Sequence, residues 1–161
     1  MKEKELHFYM QTAENAAQMS HAARKKVGAC VITKNSGIYI GYNGRLEGQD
    51  NACEYKSYNL STLVDGSKPF KREFEDEQGD YNLVTRKDVV HGEMNALAKM
   101  LKEGVSAEGG SLVVTLAPCS SCAIMIASSG IKEVVYKEKY RDEDGLKILI
   151  DSGVSVKQYN Q

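Results

Sequence analysis

Residues 91–122 read HGEMNALAKMLKEGVSAEGGSLVVTLAPCSSC. Apolar positions at helical spacing predict a helix over residues 91–104, and the apolar run SLVVTL at 111–116 has the length of a buried strand. A second helix begins near residue 119. Helices that alternate with strands in this way are typical of parallel pairing through right-handed crossovers. The segment therefore predicts an α/β fold.

The same alternation continues to the C-terminus, with a strand at 131–138, a helix at 142–153 and a strand at 154–159. On the N-terminal side, two β-rich runs at 27–33 and 37–42 flank Asn35-Ser36-Gly37, a turn signal that predicts an antiparallel hairpin. The product is a five-stranded mixed sheet between helical layers, a three-layer α/β/α sandwich.

Helical spacing of Leu6, Met10, Ala13, Ala17 and His21 predicts an amphipathic helix over residues 3–23. The 161 residues have the length of one domain, 1–161. Between about 45 and 89 the pattern loses its period and becomes polar. We interpret that range as a long loop inserted over the site, because loops of such length are generally functional or mobile.

The charge is almost balanced, with 21 basic and 22 acidic side chains. Binding to duplex nucleic acid or an anionic membrane needs clustered positive charge, and no long basic run is present. Residues 1–23 contain no unbroken apolar stretch, so they predict neither a secretion signal nor a membrane span. We therefore expect a cytoplasmic protein that acts on a small ligand.

The four cysteines are Cys30, Cys53, Cys119 and Cys122. In a reducing compartment a disulfide framework is not expected, and a close pair indicates a metal or redox site. Cys119 and Cys122 lie about 300° apart on the first turn of a helix, so both sulfurs face one side and can share a metal ion. The positive helix N-terminus favours their thiolate forms.

His91 and Glu93 lie roughly 200° apart around a helix, so they can converge only at its tip. This arrangement suits His91 as a metal ligand and Glu93 as a group that reaches the metal's water. Three protein ligands and one open position describe a catalytic zinc site, whereas a structural site has four ligands. Taken alone, the cysteine pair could also be a redox pair or half of a structural site, and His91 a polar cap.

The combined pattern His-x-Glu followed by Pro-Cys-x-x-Cys is the known signature of zinc nucleobase deaminases. In that chemistry zinc lowers the pKa of its water, and the hydroxide attacks the ring carbon that carries the amine. Glu93 would act as base and then as acid.

Five segments carry a resemblance to a known family: VGACVI at 27–32, GYNG at 41–44, HGEMNAL at 91–97, TLAPCSSCA at 115–123 and SGIKEVVY at 129–136. They resemble the cytidine and deoxycytidylate deaminase superfamily, and most of all deoxycytidylate (dCMP) deaminases, including phage-encoded ones. The resemblance implies one Zn²⁺ per chain, held by His91, Cys119 and Cys122, with Glu93 as proton shuttle. It implies hydrolysis of dCMP to dUMP and ammonia, which supplies thymidylate synthesis, in the host cytoplasm if the chain is phage-encoded.

The resemblance also implies roles in substrate binding. Asn43 would bind the sugar, Gly92 and Ala117 would offer backbone groups to the base, and Tyr140 would lie near the nucleotide. The phosphate would be bound by basic residues before the first strand, Arg24 and Lys26. The alternatives are ordinary, since these residues also suit a turn, a half-buried anchor and solvated charges at a helix end.

Many dCMP deaminases are hexamers activated by dCTP and inhibited by dTTP, so the resemblance implies a homohexamer. The effector, possibly with Mg²⁺, would bind near the GYNG loop, at Asn43, Gly44, Arg45, Glu47 and Glu54. Two positions depart from the family pattern: Leu46 replaces a usual proline, and Gly92 replaces a usual alanine. Cys53 has no Cys or His partners at a helpful spacing, so we predict no second zinc and interpret Cys53 and Cys30 as buried or partly buried thiols.

Three competing functions are open from the residues. The chain could deaminate dCTP as well as dCMP, or another base, nucleoside or tRNA adenosine, with the same metal site. A nucleic-acid editor should present a basic stripe with aromatic residues, whereas this chain has net charge −1 and no Trp. A structural zinc module would give Glu93 no role.

Overall fold

The computed structural model describes residues 1–58 and 74–160. The helices are α1 (Glu3–Gln18), α2 (Gly92–Lys102), α3 (Ser120–Ser128) and α4 (Asp144–Asp151). The strands are β1 (Gly28–Ile32), β2 (Ile38–Tyr42), β3 (Glu54–Ser57), β4 (Phe74–Asp76), β5 (Gly79–Thr85), β6 (Ser111–Leu116), β7 (Glu133–Glu138) and β8 (Ser155–Gln158).

The main sheet has the strand order β2-β1-β6-β7-β8. Strand β1 pairs antiparallel with both β2 and β6, and β6-β7 and β7-β8 are parallel pairs. The predicted hairpin is confirmed, with Ile32 opposite Ile38. The five-stranded mixed sheet is therefore confirmed, and the hairpin supplies its antiparallel part.

Successive residues of the central strands point to opposite faces of the sheet, and each face is covered by helices. On one face Cys30, Val113 and Val135 pack with Met10 and Ala13 of α1. The residues between them in sequence pack against α2, α3 and α4 on the other face, and they include Ala29, Val31, Leu112, Val114 and Val134. Both faces of β1, β6 and β7 are apolar for this reason, and the three-layer α/β/α architecture is confirmed.

A second, three-stranded sheet has the order β3-β5-β4, with antiparallel pairs only. It lies within the range that we interpreted as a loop, so that interpretation is wrong for the described residues of these strands. The hydrophobic pattern did not reveal these strands, because most of their side chains are polar and exposed or half-buried. The pairing of Glu54 with Thr85 is also long-range, and local periodicity does not report it.

Helix α1 ends at Gln18, five residues before the predicted boundary, and His21 lies outside it. Ser20 gives the physical reason. Its Oγ donates to the carbonyl of Asn43 at 2.7 Å and accepts the Ala22 N–H at 3.2 Å, which turns the chain toward β1. In the two described ranges, no helix has the combination of length and apolar content that a membrane span requires.

Candidate metal centre and active-site cavity

Two helix N-termini bring three potential metal ligands together. His91 is the N-cap residue of α2, Cys119 is the N-cap residue of α3, and Cys122 lies in the first turn of α3. Asn95 ties α2 to the main sheet, since its Nδ2 donates to the carbonyl of Tyr42 at 2.9 Å. The sheet hairpin and the β6–α3 turn therefore set the positions of the ligands.

Gly41 in β2 allows α2 to approach the sheet. A Cβ atom at this position would lie 2.2 Å from the carbonyl oxygen of Gly92 and 2.4 Å from the nitrogen of Ala96. Any other residue would push the start of α2, and His91 with it, away from the sheet. Gly145 likewise allows α4 to approach the segment before α3. A Cβ atom at this position would lie 2.0 Å from the carbonyl oxygen of Pro118.

The donor atoms of His91, Cys119 and Cys122 all lie within 4.8 Å of one another. The His91 Nδ1 atom is 3.6 Å from the Cys119 sulfur and 3.3 Å from the Cys122 sulfur. Tetrahedral zinc with ordinary bond lengths separates a nitrogen and a sulfur ligand by about 3.6 Å. One imidazole and two free thiols at these separations fit a zinc ion, with Nδ1 as the ligand nitrogen.

The proton affinities in the cluster are strongly coupled. Hydrogen bonds from the Cys122 thiol and from His91 lower the pKa of Cys119 to about 3. The pKa of Cys122 is raised by its hydrogen bond to Cys119 and by burial, and that of His91 is raised by its hydrogen bond to Cys119. These hydrogen bonds favour a thiolate at Cys119, which is the form that binds metal.

Glu93 lies next to this cluster and is only 4% exposed. Burial raises the pKa of its carboxyl group, because the charged form loses hydration. Among the described residues, Glu93 is the one buried carboxylate. A carboxylate buried beside potential metal ligands is well placed to exchange protons with a molecule bound there.

A cavity of about 700 Å³ opens onto the cluster. Its lining includes His91, Cys119 and Glu93, and the small sheet forms part of its wall. Of the residues predicted to contact substrate, it contains Arg24, Asn43, Gly92, Ala117 and Tyr140. The structure thus brings two of the three predicted ligands, the predicted proton shuttle and five predicted substrate contacts to one cavity, with Cys122 buried behind them.

Comparison with known proteins places this site in a family. The family model for the cytidine and deoxycytidylate deaminase zinc-binding region matches residues 3–138. The chain belongs to the cytidine and deoxycytidylate deaminase family. It is therefore a zinc-dependent deaminase, a hydrolase.

Individual relatives agree with this assignment. The deoxycytidylate deaminase of Enterobacteria phage T4 is 34% identical over 91% of this chain and 86% of its own length. The human deoxycytidylate deaminase is 34% identical over 85% of this chain and 67% of its own length. The structure of the cyanophage S-TIM5 dCMP deaminase in complex with dCMP and dUMP matches with a TM-score of 0.77 and 37% identity, over 99% of each chain.

Lys26, which was predicted to contact the phosphate, lies outside the cavity of this deaminase. Lys26 lies beside a smaller depression, together with Glu14, Gln18 and Thr115, on the side of the sheet covered by α1. Its neighbour Lys25 lines the deaminase cavity instead and forms an ion pair with Glu138. Sequence position alone did not determine which of the two lysines faces the site.

Asn43 is held by both polar atoms of its side chain. Its Oδ1 accepts the Val27 N–H at 2.8 Å, and its Nδ2 donates to the Lys25 carbonyl at 2.9 Å. The Oδ1 atom has a second lone pair, and Nδ2 has a second hydrogen. Asn43 therefore fixes the segment before β1 and retains one donor and one acceptor for a ligand.

Ala117 has only its carbonyl group to offer a base, because its N–H donates to the carbonyl of Glu138 at 2.8 Å. Gly92 is the first residue of α2, where backbone N–H groups have no partner within the helix. The two predicted backbone contacts therefore supply opposite hydrogen-bonding groups, an acceptor and a donor.

The predicted effector residues are divided between two environments. Asn43 and Glu54 line the cavity, whereas Gly44, Arg45 and Glu47 do not. The Arg45 side chain is 7% exposed and pairs with Asp50 at 2.9 Å and Asp88 at 2.6 Å. Gly44 pairs with Val90 through two backbone hydrogen bonds, and Glu47 is exposed.

The sequence analysis missed several cavity residues, and the polar and aromatic ones among them are Lys25, Phe74, Thr85 and Arg141. Arg141 directly follows the predicted contact Tyr140, and its guanidinium lies 5.6 Å from the centre of that ring. Its position next to Tyr140 in the sequence could have indicated that it reaches the site. Phe74 and Thr85 belong to the small sheet, which the sequence pattern did not reveal. Cys30 and Cys53 are buried free thiols, as predicted.

Proposed function

We propose that this deaminase hydrolyses dCMP to dUMP and ammonia, and that His91, Cys119, Cys122 and Glu93 form its reaction centre. One observation carries the proposal: His91, Cys119 and the buried Glu93 share a cavity with Arg24 and Arg141. A cytosine base could reach the reaction centre while a phosphate meets the guanidinium groups. The dCMP and dUMP in the cyanophage relative support the same choice of substrate.

His91, Cys119 and Cys122 would hold a single zinc ion. Zinc bound there supplies a hydroxide nucleophile near neutral pH, because it lowers the pKa of a coordinated water. The two cysteines lie at a helix N-terminus, which stabilises the thiolate form that binds metal. Their separation from His91 Nδ1 suits tetrahedral geometry, as the distances of 3.6 and 3.3 Å indicate.

Glu93 would move every proton in the reaction. It accepts a proton from the attacking water and delivers it to the ring nitrogen next to the amine-bearing carbon. It then takes the remaining hydroxyl proton and passes it to the amine, so that ammonia leaves and the carbonyl of dUMP forms. Its burial keeps these transfers away from bulk water.

The remaining cavity residues would bind the nucleotide. Asn43 would contact the sugar with its free donor and acceptor, and the Ala117 carbonyl and the Gly92 N–H would contact the base. Tyr140 would pack beside the nucleotide, and Arg24 would bind the 5′-phosphate. Lys26 has no part in this proposal, since it lies on the opposite side of the sheet.

Regulation by nucleotides belongs to the same proposal. A homohexamer activated by dCTP with Mg²⁺ and inhibited by dTTP would use the loop from Asn43 to Glu54 as its effector site. In this conformation Arg45 is paired with Asp50 and Asp88, so an effector phosphate would have to compete with those carboxylates. In the host cytoplasm the product would feed thymidylate synthesis.

A substrate panel tests the proposed function. Purified enzyme is given dCMP, dCTP and deoxycytidine, and deamination is followed by the loss of cytosine absorbance. We expect dCMP to have the highest kcat/KM, because deoxycytidine lacks the phosphate that Arg24 and Arg141 would bind. Equal turnover of deoxycytidine and dCMP would contradict the nucleotide assignment, and preference for dCTP would change the substrate.

A further inference from the structure

A cross-strand pair in the small sheet faces the substrate cavity. Glu54 in β3 lies directly opposite Thr85 in β5. Directly opposite residues of an antiparallel pair project their side chains from the same face of the sheet. Both residues line the cavity that contains His91 and Glu93.

The two side chains hold Arg24 at both of its ends. The Glu54 carboxylate accepts the Arg24 backbone N–H at 3.2 Å and the Ala23 N–H at 3.0 Å. The Thr85 hydroxyl accepts a hydrogen bond from the Arg24 guanidinium at 3.4 Å. One pair of residues therefore fixes the backbone of Arg24 and also directs its side chain.

Most of the Arg24 guanidinium is left for a ligand. A guanidinium carries five N–H donors, and Thr85 uses one of them. Across residues 1–58 and 74–160, Arg24 forms no ion pair, whereas Lys25 in the same cavity is paired with Glu138. Arg24 is otherwise exposed, and an unrestrained arginine loses much rotamer freedom when it binds a phosphate.

We propose that Glu54 and Thr85 are positioning residues that orient Arg24 for the 5′-phosphate of the substrate. The inference rests on the proposed function, since it needs a phosphate-bearing substrate. It gives the small sheet a role in substrate choice: the sheet selects nucleotides over nucleosides through Arg24.

The competing role for Glu54 predicts an effect of opposite sign. If Glu54 does not position Arg24, its carboxylate only repels the nearby phosphate. Removal of the carboxylate would then tighten dCMP binding. A purely structural role for the small sheet would affect dCMP and deoxycytidine equally. Both alternatives are separated from the proposal by comparing the two substrates.

The experiment measures kcat and KM for dCMP and deoxycytidine in four variants: Glu54→Ala, Thr85→Val, Arg24→Ala and Glu54→Ala combined with Arg24→Ala. Glu75→Ala is the matched control, since it removes an exposed acidic side chain from β4 of the same sheet. Thr85→Val nearly keeps the side-chain shape and removes the hydroxyl that accepts the Arg24 hydrogen bond. It therefore tests the inference even if Glu54→Ala does not fold.

We expect Glu54→Ala to raise the KM for dCMP about tenfold and Thr85→Val about threefold, because hydrogen bonds to charged groups are stronger than neutral ones. The kcat for dCMP and the kcat/KM for deoxycytidine should stay within about twofold, since positioning acts on phosphate binding alone. In the Arg24→Ala background, Glu54→Ala should cause no further loss, since Arg24 mediates its effect.

Three results would overturn the inference: a lower KM for dCMP in Glu54→Ala, an equal loss with deoxycytidine, or full additivity with Arg24→Ala. Wild-type enzyme that fails to deaminate dCMP would overturn the proposed function and this inference together. Normal wild-type activity with unaltered Thr85→Val and Glu54→Ala kinetics would overturn the inference alone.

Discussion

The Nδ1 atom of His91 lies 3.3 Å from the sulfur of Cys122, although the residues are 31 positions apart in sequence. Their approach is set by two helix N-termini that rest on neighbouring parts of one sheet. Because apolar packing of α2 and α3 on that sheet positions both residues, the fold itself brings the donor atoms within bonding range of one ion.

Replacement of Cys119 or Cys122 by serine should lower zinc occupancy from one ion per chain to a small fraction. A serine hydroxyl stays protonated near neutral pH, whereas the thiol ionises and binds the metal. Elemental analysis of purified protein measures the effect. Cys53→Ser is the control, because Cys53 lies outside the ligand cluster, and zinc bound equally well by all three variants would contradict the ligand assignment.

Removal of zinc by a chelator should leave the α/β fold intact, because the core is apolar and the ligands lie at helix ends. Circular dichroism should stay unchanged while the half-buried Cys119, whose pKa is lowered to about 3, becomes open to alkylation. Cys30 should remain unmodified at pH 8, since burial raises the pKa of its thiol to about 12. Mass spectrometry of the alkylated peptides identifies each site, and unfolding on chelation would indicate structural zinc.

Gly41→Ala should destabilise the protein by at least about 2 kcal/mol, because overpacking against backbone cannot be relieved by a rotamer change. The new methyl group would lie 2.2 Å from the Gly92 carbonyl oxygen. Denaturant unfolding measures the loss. Gly44→Ala is the matched control, since a Cβ atom there has nothing within 4 Å. Equal stability of the two variants would contradict the close approach of α2 to β2.

The sequence predicted the main sheet and the ligand cluster well, because both leave local signals. Apolar runs between helical segments mark β6 and β7, and the pattern of a helix start marks Cys119 and Cys122. The strand order needed the structure, since β1 pairs with β6 across some 80 residues and nothing local reports that contact.

The misses share a physical cause. Strands β3, β4 and β5 are polar and half-exposed, so their stability comes from long-range pairing that periodicity does not detect. Helix α1 stops early because the Ser20 hydroxyl donates a hydrogen bond to the Asn43 carbonyl, which is a tertiary contact. Lys25 lines the active-site cavity and Lys26 lies beside the depression next to α1, and adjacent sequence positions do not reveal this difference.

Sedimentation should give the mass of a homohexamer, and dCTP with Mg²⁺ should turn a sigmoidal rate curve for dCMP into a nearly hyperbolic one. The shift requires dCTP to bind the active arrangement of subunits more tightly than the inactive one. Initial rates against dCMP concentration, with dCTP, dTTP or neither, measure it. A monomer whose rate curves ignore both effectors would contradict the regulatory proposal and leave the zinc chemistry unaffected.

The most direct test of the account is Glu93→Gln, with zinc content and dUMP formation measured on the same sample. Glutamine has nearly the same shape as glutamate and cannot carry protons between water, ring nitrogen and amine. We expect one zinc per chain, an unchanged circular dichroism spectrum, and a loss of dCMP turnover of about 10²-fold to 10⁴-fold, the usual range for general acid–base catalysis. A Glu93→Gln variant that holds zinc and deaminates dCMP at the wild-type rate would contradict it.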